Sequence, residues 1–406
     1  MKTEKANFYK LCIQAILYAT ALIFVTGAVV QTFLLLLGFS DEQVYVYSSI
    51  TQFAQITVMT ALVFLSGRMK RHRLYSAITE LLMLSPLIVF LIGAIDPTVF
   101  SNTYIAWVFI LSVIASGAIG LHSVIQYCLP YAYLDMADYG KLTGISTALA
   151  GGVGFLVSSL HSFAVQRFGY IPSMRWFFIL GMALLVLSVI VTVSLKRVNN
   201  APVNGDGAVD RGELVAVFRN PDMYYLLIPN FCRGLALGVM GVIAIITIST
   251  DTLTPEETSY INVILQAACF GANVVFALLY KKLGIARILL ISSIATSLIF
   301  PFVLGGGSVI FLVLFFVTVF FRYIVDSAIP TAIAAMIPEN QIGAYTAIRM
   351  LVFTGAQAVA ALLITPIVSL VGYTGVLIFA AVMQLICGVG HYLVISLRHS
   401  KNPLLR

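Results

Sequence analysis

Apolar runs of about 20 residues or more recur along the whole chain, divided by short breaks rich in Gly, Pro and charge, and each is long enough to cross a hydrocarbon core of roughly 30 Å. In lipid no water is available to the peptide groups, so only helices and closed barrels can span. The short alternating strands of a barrel are not visible in these runs, which leaves helices. Composition agrees: 60% of the 406 residues are hydrophobic and 10% charged, far from the roughly half-apolar, quarter-charged make-up of soluble domains. Twelve segments result, at about 8–38, 43–66, 75–95, 103–134, 142–167, 173–195, 223–250, 258–280, 285–304, 308–336, 343–371 and 374–397. The expected fold is an all-α membrane protein of twelve transmembrane helices.

The N-terminal "MKTEKANFYK" leads into an apolar stretch without a small-residue cleavage site, which reads as an uncleaved first helix. Cys12, Cys128, Cys232, Cys269 and Cys387 are scattered through apolar segments without CxxC spacing, so they read as small core residues; neither disulfides nor a metal site is expected. The longest polar interruption follows segment six. It divides the chain into a first set of six helices (1–196), a linker (197–222) and a second set of six (223–406). Within the linker, Asp210 and Glu213 offer a capping box for a short interfacial helix.

With the N-terminus in the cytoplasm, 19 of the 23 Lys and Arg residues lie on that side, Arg349 among them, and two, Arg167 and Arg175, on the other. By the positive-inside rule both termini are cytoplasmic, in the cell membrane. Contact with anionic lipid accounts for the net charge of +7, so nucleic acid is not an expected partner.

The two halves resemble each other. "LPYAYLDM" from Leu129 parallels "IPTAIAAM" from Ile329 at an offset of 200, "FGY" ending at Tyr170 parallels "VGY" ending at Tyr373, and "YKLCIQAILYATA" from Tyr9 parallels "YYLLIPNFCRGLA" from Tyr224. On that alignment Tyr18 matches Arg233, and the next pair of segments places Gln52 opposite Gln266. Parallel six-helix repeats that rock about a central site are a transporter architecture. In this respect the chain resembles the major facilitator superfamily over nearly its whole length. That family's G-x-L-x-D-R-x-G-R-R loop corresponds to "VFLSGRMKRHRL" and "ALLYKKLGIARI", with the signature Asp replaced by Gly67 and Lys281. The resemblance implies a cytoplasmic gate at Arg68 and Arg71, its acid supplied by Asp135 or Asp138. "YLDMADYGKLTG" is also similar to a loop of the glycoside-pentoside-hexuronide cation symporters, where it falls in the other half.

Charges inside a span are costly and usually face a partner or a water-filled cavity. Arg322 and Asp326 lie four residues apart on one face of segment ten, either neutralising one another or lining the pathway. At the offset of 200 they match His122 and Gln126, so each half holds a polar i,i+4 pair at one depth. Arg233, about ten residues into segment seven, suits a substrate carboxylate or phosphate, or pairs with Asp326, or caps carbonyls. His122 and Asp326, the latter read as the sole carboxylate deep in a segment, are the candidates for coupling to a proton or cation. Gln14, Gln52, Gln55, Asn230, Gln266 and Gln357 fit a polar cavity, with Tyr18 and Gln126 as further substrate-binding candidates from the repeat, whereas His161 and His391 read as interfacial.

No HExxH, GxSxG or P-loop is present, so neither enzyme chemistry nor direct ATP drive is expected. The expected function is secondary active transport of a small organic solute, anionic in one version, driven by a proton or sodium gradient, by a monomer without cofactor. A receptor, lipid scramblase or assembly factor on the same scaffold is the alternative.

Overall fold

The computed structural model describes residues 2–65, 72–133, 136–196, 219, 221–337 and 339–398, and among these it is helical, without a strand. Helices α1 (Lys2–Leu22) and α2 (Ala28–Leu36) form the first span, α3 (Asp41–Leu65) the second, and α4 (His72–Leu82) with α5 (Leu84–Ile95) the third. Helices α6 (Asn102–Tyr133), α7 (Met136–Phe168) and α8 (Tyr170–Val193) complete the first half. The second comprises α9 (Pro221–Gly241) with α10 (Ile243–Ser249), then α11 (Ser259–Leu283), α12 (Ile285–Ile299), α13 (Gly307–Met336) and α14 (Glu339–Arg398). Gly372 divides α14 into two spans. Taking each paired set as one span and the halves of α14 as two gives the expected twelve.

Backbone geometry carries the internal repeat. Gly169 and Gly372, the central residues of "FGY" and "VGY", both turn the chain at positive φ, 84° and 71°, a region where a Cβ would clash with the neighbouring carbonyl. Each lets one span end and the next begin with hardly any loop. At the offset that matches Tyr18 to Arg233, Gly27 falls on Val242. Both sit at helix breaks: α1 gives way to α2 there, and α9 meets α10 at a bend of 46°.

The chain divides into two compact units, residues 1–40 with 50–209, and residues 41–49 with 210–406. In the first, α1 packs on α7 and α8, and α4 packs on α6 and α8. Helix α4 shows how lipid inverts the usual pattern: Leu74, Ile78, Leu81 and Leu82 are exposed, while Ser76, Thr79 and Glu80 are buried. Lipid solvates the leucines as well as a core would, so burial goes to the groups that need hydrogen bonds.

In the second unit α9 lies along α14, and α12 packs on both α13 and α14. The close approach of α9 to α14 rests on Gly234 and Gly238 facing Ala356 and Ala360. A Cβ on Gly238 would stand 2.5 Å from the Ala360 Cβ and 2.7 Å from the Gln357 carbonyl oxygen. Small residues one turn apart allow this packing, which supplies dispersion contact where no hydrophobic drive exists between helices. The start of α3 also belongs here, with the Ser49 hydroxyl donating to the Ala358 carbonyl at 3.2 Å.

Several expectations need correction. His161 and His391 are fully buried, not interfacial. His161 sits among the rings of Phe24, Phe177 and Tyr170, and His391 bonds through Nδ1 to the Cys387 carbonyl one turn earlier, at 2.8 Å. Arg349, counted above with the cytoplasmic charges, is only 7% exposed. Removing it from that count leaves the charge bias intact. Cys12, Cys232 and Cys387 are buried, free thiols. The linker and its capping-box helix fall largely outside the described residues.

Candidate functional site

In the second unit, α9 and α13 bring together the charges that the sequence scatters over some ninety residues. Arg233, 7% exposed, donates from Nε to Asp326 Oδ1 at 3.1 Å and from a terminal amine to the same oxygen. Arg322 reaches the other oxygen, Oδ2, at 3.2 Å from its own helix turn. One carboxylate is thus clamped by two guanidiniums, and the triad keeps a net charge of +1. The Arg233 guanidinium lies 4.7 Å over the Phe353 ring of α14, and Arg322 lies 4.6 Å over its neighbour Tyr323. Arg is suited to both tasks because its planar fork pairs with a carboxylate while its flat face stacks on a ring. The Gly234 contact with Phe353 and Ala356 sets how closely Arg233 approaches that ring.

Further polar groups surround the triad. Ser327, next to Asp326, donates to Asn273 Oδ1 at 2.6 Å, and Asn273 in turn donates to the Cys269 carbonyl at 2.8 Å. Asn230, one turn before Arg233, is buried and spends its amide on the Leu226 carbonyl at 2.8 Å. Gln266 is half-buried on α11.

In the first unit the equivalent place is taken by a neutral-looking set. Tyr18 of α1 stacks on His122 of α6, with ring centres 4.1 Å apart and planes 29° from parallel. His122 Nε2 meets the Gln126 amide nitrogen at 2.9 Å, and Nδ1 meets the Thr79 hydroxyl at 3.0 Å. The aligned pairs therefore behave alike: Tyr18 touches the α6 pair just as Arg233 touches the α13 pair. Gln52 is half-buried on α3, and its Oε1 has no hydrogen-bond partner among the described residues. Arg68, Arg71 and Asp135 lie outside the described residues, and Asp138 is described only as part of α7.

The sequence reading missed Glu80, and Asp326 is not the sole deep carboxylate. Glu80 is fully buried on α4, accepting from Gln14 at 2.8 Å, Thr192 at 3.3 Å and Ser76 at 3.4 Å, with His122 Nε2 3.8 Å away. It lies only five residues past the start of the apolar run at 75–95. The usable signal is helical spacing: Ser76, Thr79 and Glu80 share one face, while the leucines share the other.

A sequence comparison with curated proteins found no match. Residues 226–405 match the model of the Major Facilitator Superfamily. Among solved structures, the chain is similar to the nucleoside transporter NupG, with 16% identity, TM-score 0.65, and 97% of this chain and 99% of that one covered. It is also similar to a D-xylose-proton symporter, with 12% identity, TM-score 0.74 and coverage of 96% and 97%. The fucose:proton symporter FucP of E. coli gives 12% identity, TM-score 0.63 and coverage of 95% and 98%. In this integral membrane protein the second half thus matches the sequence pattern of the Major Facilitator Superfamily, and the fold is shared nearly end to end with these solved transporters.

Proposed function

We propose that the chain is a secondary transporter that moves a small organic anion by alternating access, with no enzymatic step. The observation that carries this reading is the triad of Arg233, Asp326 and Arg322, which keeps an uncompensated positive charge inside a span. An arginine pair held by one carboxylate is a poised anion site: a substrate carboxylate or phosphate takes the place of Asp326 on Arg233. A proton arriving on Asp326 frees Arg233 for that exchange. The bookkeeping is neutral, since the added proton and the added monoanion leave the triad at +1, so symport at this site alone moves no net charge. Gln266 and Asn230 in the second unit, and Tyr18, His122, Gln126 and Gln52 in the first, are further substrate-binding candidates, and His122 joins Asp326 as a coupling group. The basic loop at Arg68 and Arg71, with Asp135 or Asp138, forms the cytoplasmic gate. The charge bias supports a cytoplasmic-membrane location with both termini inside.

The test is uptake into proteoliposomes of a panel of anionic and neutral solutes, with and without proton and sodium gradients. Saturable uptake of an anion that is lost in Arg233→Ala is the expected result. Absence of flux for every solute, or uptake restricted to neutral solutes and indifferent to Arg233→Ala, would sink this reading and favour a receptor, scramblase or assembly role.

A further inference from the structure

We infer that Glu80 and His122 share one exchangeable proton, giving the first unit a proton site of its own, apart from Asp326. This rests on the transporter reading only for its role in coupling; the site itself follows from the geometry of α4 and α6.

Hydrogen positions around His122 can be worked out from its partners. The Thr79 hydroxyl donates to the Ser76 carbonyl at 2.8 Å, so its oxygen is left to accept from His122 Nδ1–H. Nε2 then presents its lone pair to the Gln126 amide at 2.9 Å and, at 3.8 Å, to Glu80 Oε1. A lone pair facing an ionised carboxylate oxygen repels it. One proton placed on either partner turns that repulsion into attraction, and the Gln126 amide can rotate to offer its oxygen when Nε2 carries the proton.

Among the described residues, this proton is the only charge balance for Glu80. Both side chains are fully buried. Helix α8 faces Glu80 with the hydroxyls of Ser188 and Thr192, and α1 faces it with the Gln14 amide and the Tyr18 phenol. Among the described residues, no Lys or Arg is paired with Glu80, and His122 is the one base within salt-bridge range. Asp326 is different, because two guanidiniums already hold it. The internal repeat sharpens the contrast: where the second half places Arg233, a permanent cation, the first half places Tyr18 stacked on a base that gains and loses charge.

A proton carried by this pair adds to the one exchanged at Asp326, so uptake of a monoanion becomes electrogenic. Infrared difference spectra of the purified protein in lipid, recorded across pH, test the site without any solute. A protonated-carboxyl band shifted by heavy water should be present, lost in Glu80→Gln and displaced in His122→Gln. A pH-dependent band unchanged in Glu80→Gln would overturn the assignment. Glu80→Gln keeps the hydrogen-bonding shape, and its thermal melting checks that it folds. In proteoliposomes, uptake by the unmodified protein should rise with an inside-negative potential, and Glu80→Gln should lose that dependence. Potential-independent uptake by the unmodified protein would also overturn the coupling role. Failure to move any solute would instead strike the transporter reading, while the infrared result would still decide the proton site.

Discussion

Asp326→Asn is the sharpest single perturbation available, because it removes one negative charge from between two positive ones. Unmodified, the triad sums to +1; the variant sums to +2. Two guanidiniums that both lie about 3 Å from one carboxylate are roughly 6 Å apart, and at an effective dielectric near 20 their exposed repulsion is about 3 kcal/mol. The charge-assisted hydrogen bonds to Oδ1 and Oδ2 weaken as well. Together these match the roughly 3–5 kcal/mol found when one partner of a buried ion pair is removed. The Asp326 side chain is 19% exposed, which favours the lower end. For a unit of this size, a loss of about 3 kcal/mol corresponds to roughly 6–12 °C in melting temperature. Buried Cys12, Cys232 and Cys387 make a thiol-reactive fluorophore a suitable readout of unfolding. The double variant Arg233→Gln with Asp326→Asn returns the triad to +1 and should melt above Asp326→Asn alone. A single variant within a degree or two of the unmodified protein, or a double variant that melts no higher, would refute the electrostatic account.

Gly238→Val places a branched side chain against Ala360 and the Gln357 carbonyl, and should cost about 1–3 kcal/mol of overpacking, read as a lower melting temperature. Tyr18→Leu removes the ring stacked on His122 and should destabilise by about 0.5–1.5 kcal/mol, whereas Tyr18→Phe keeps the stack and should melt close to the unmodified protein. Equal losses in the two Tyr18 variants would show that the phenol, not the stacking, matters.

Lipid as solvent makes some things legible from one sequence. Span length, helical class and the division into two sets of six follow from the apolar runs, because a bilayer dictates length and forbids open backbone. The repeat was legible as well, down to "FGY" and "VGY", whose glycines are required at positive φ. So was the pairing of Arg322 with Asp326, since residues four apart on a helix are neighbours whatever the fold.

Tertiary structure alone decided the rest, for one reason: sequence spacing fixes which residues share a helix face, but not what that face meets. That Arg233 meets Asp326 depended on α9 lying close enough to α13 for the guanidinium to reach the carboxylate. Glu80 lies near the start of its apolar segment, and the fold closes Gln14, Thr192 and His122, from three other helices, around it. His161, His391 and Arg349 were misplaced by the same rule, because nearness to a segment end says how deep a residue lies, and only packing says which way it faces.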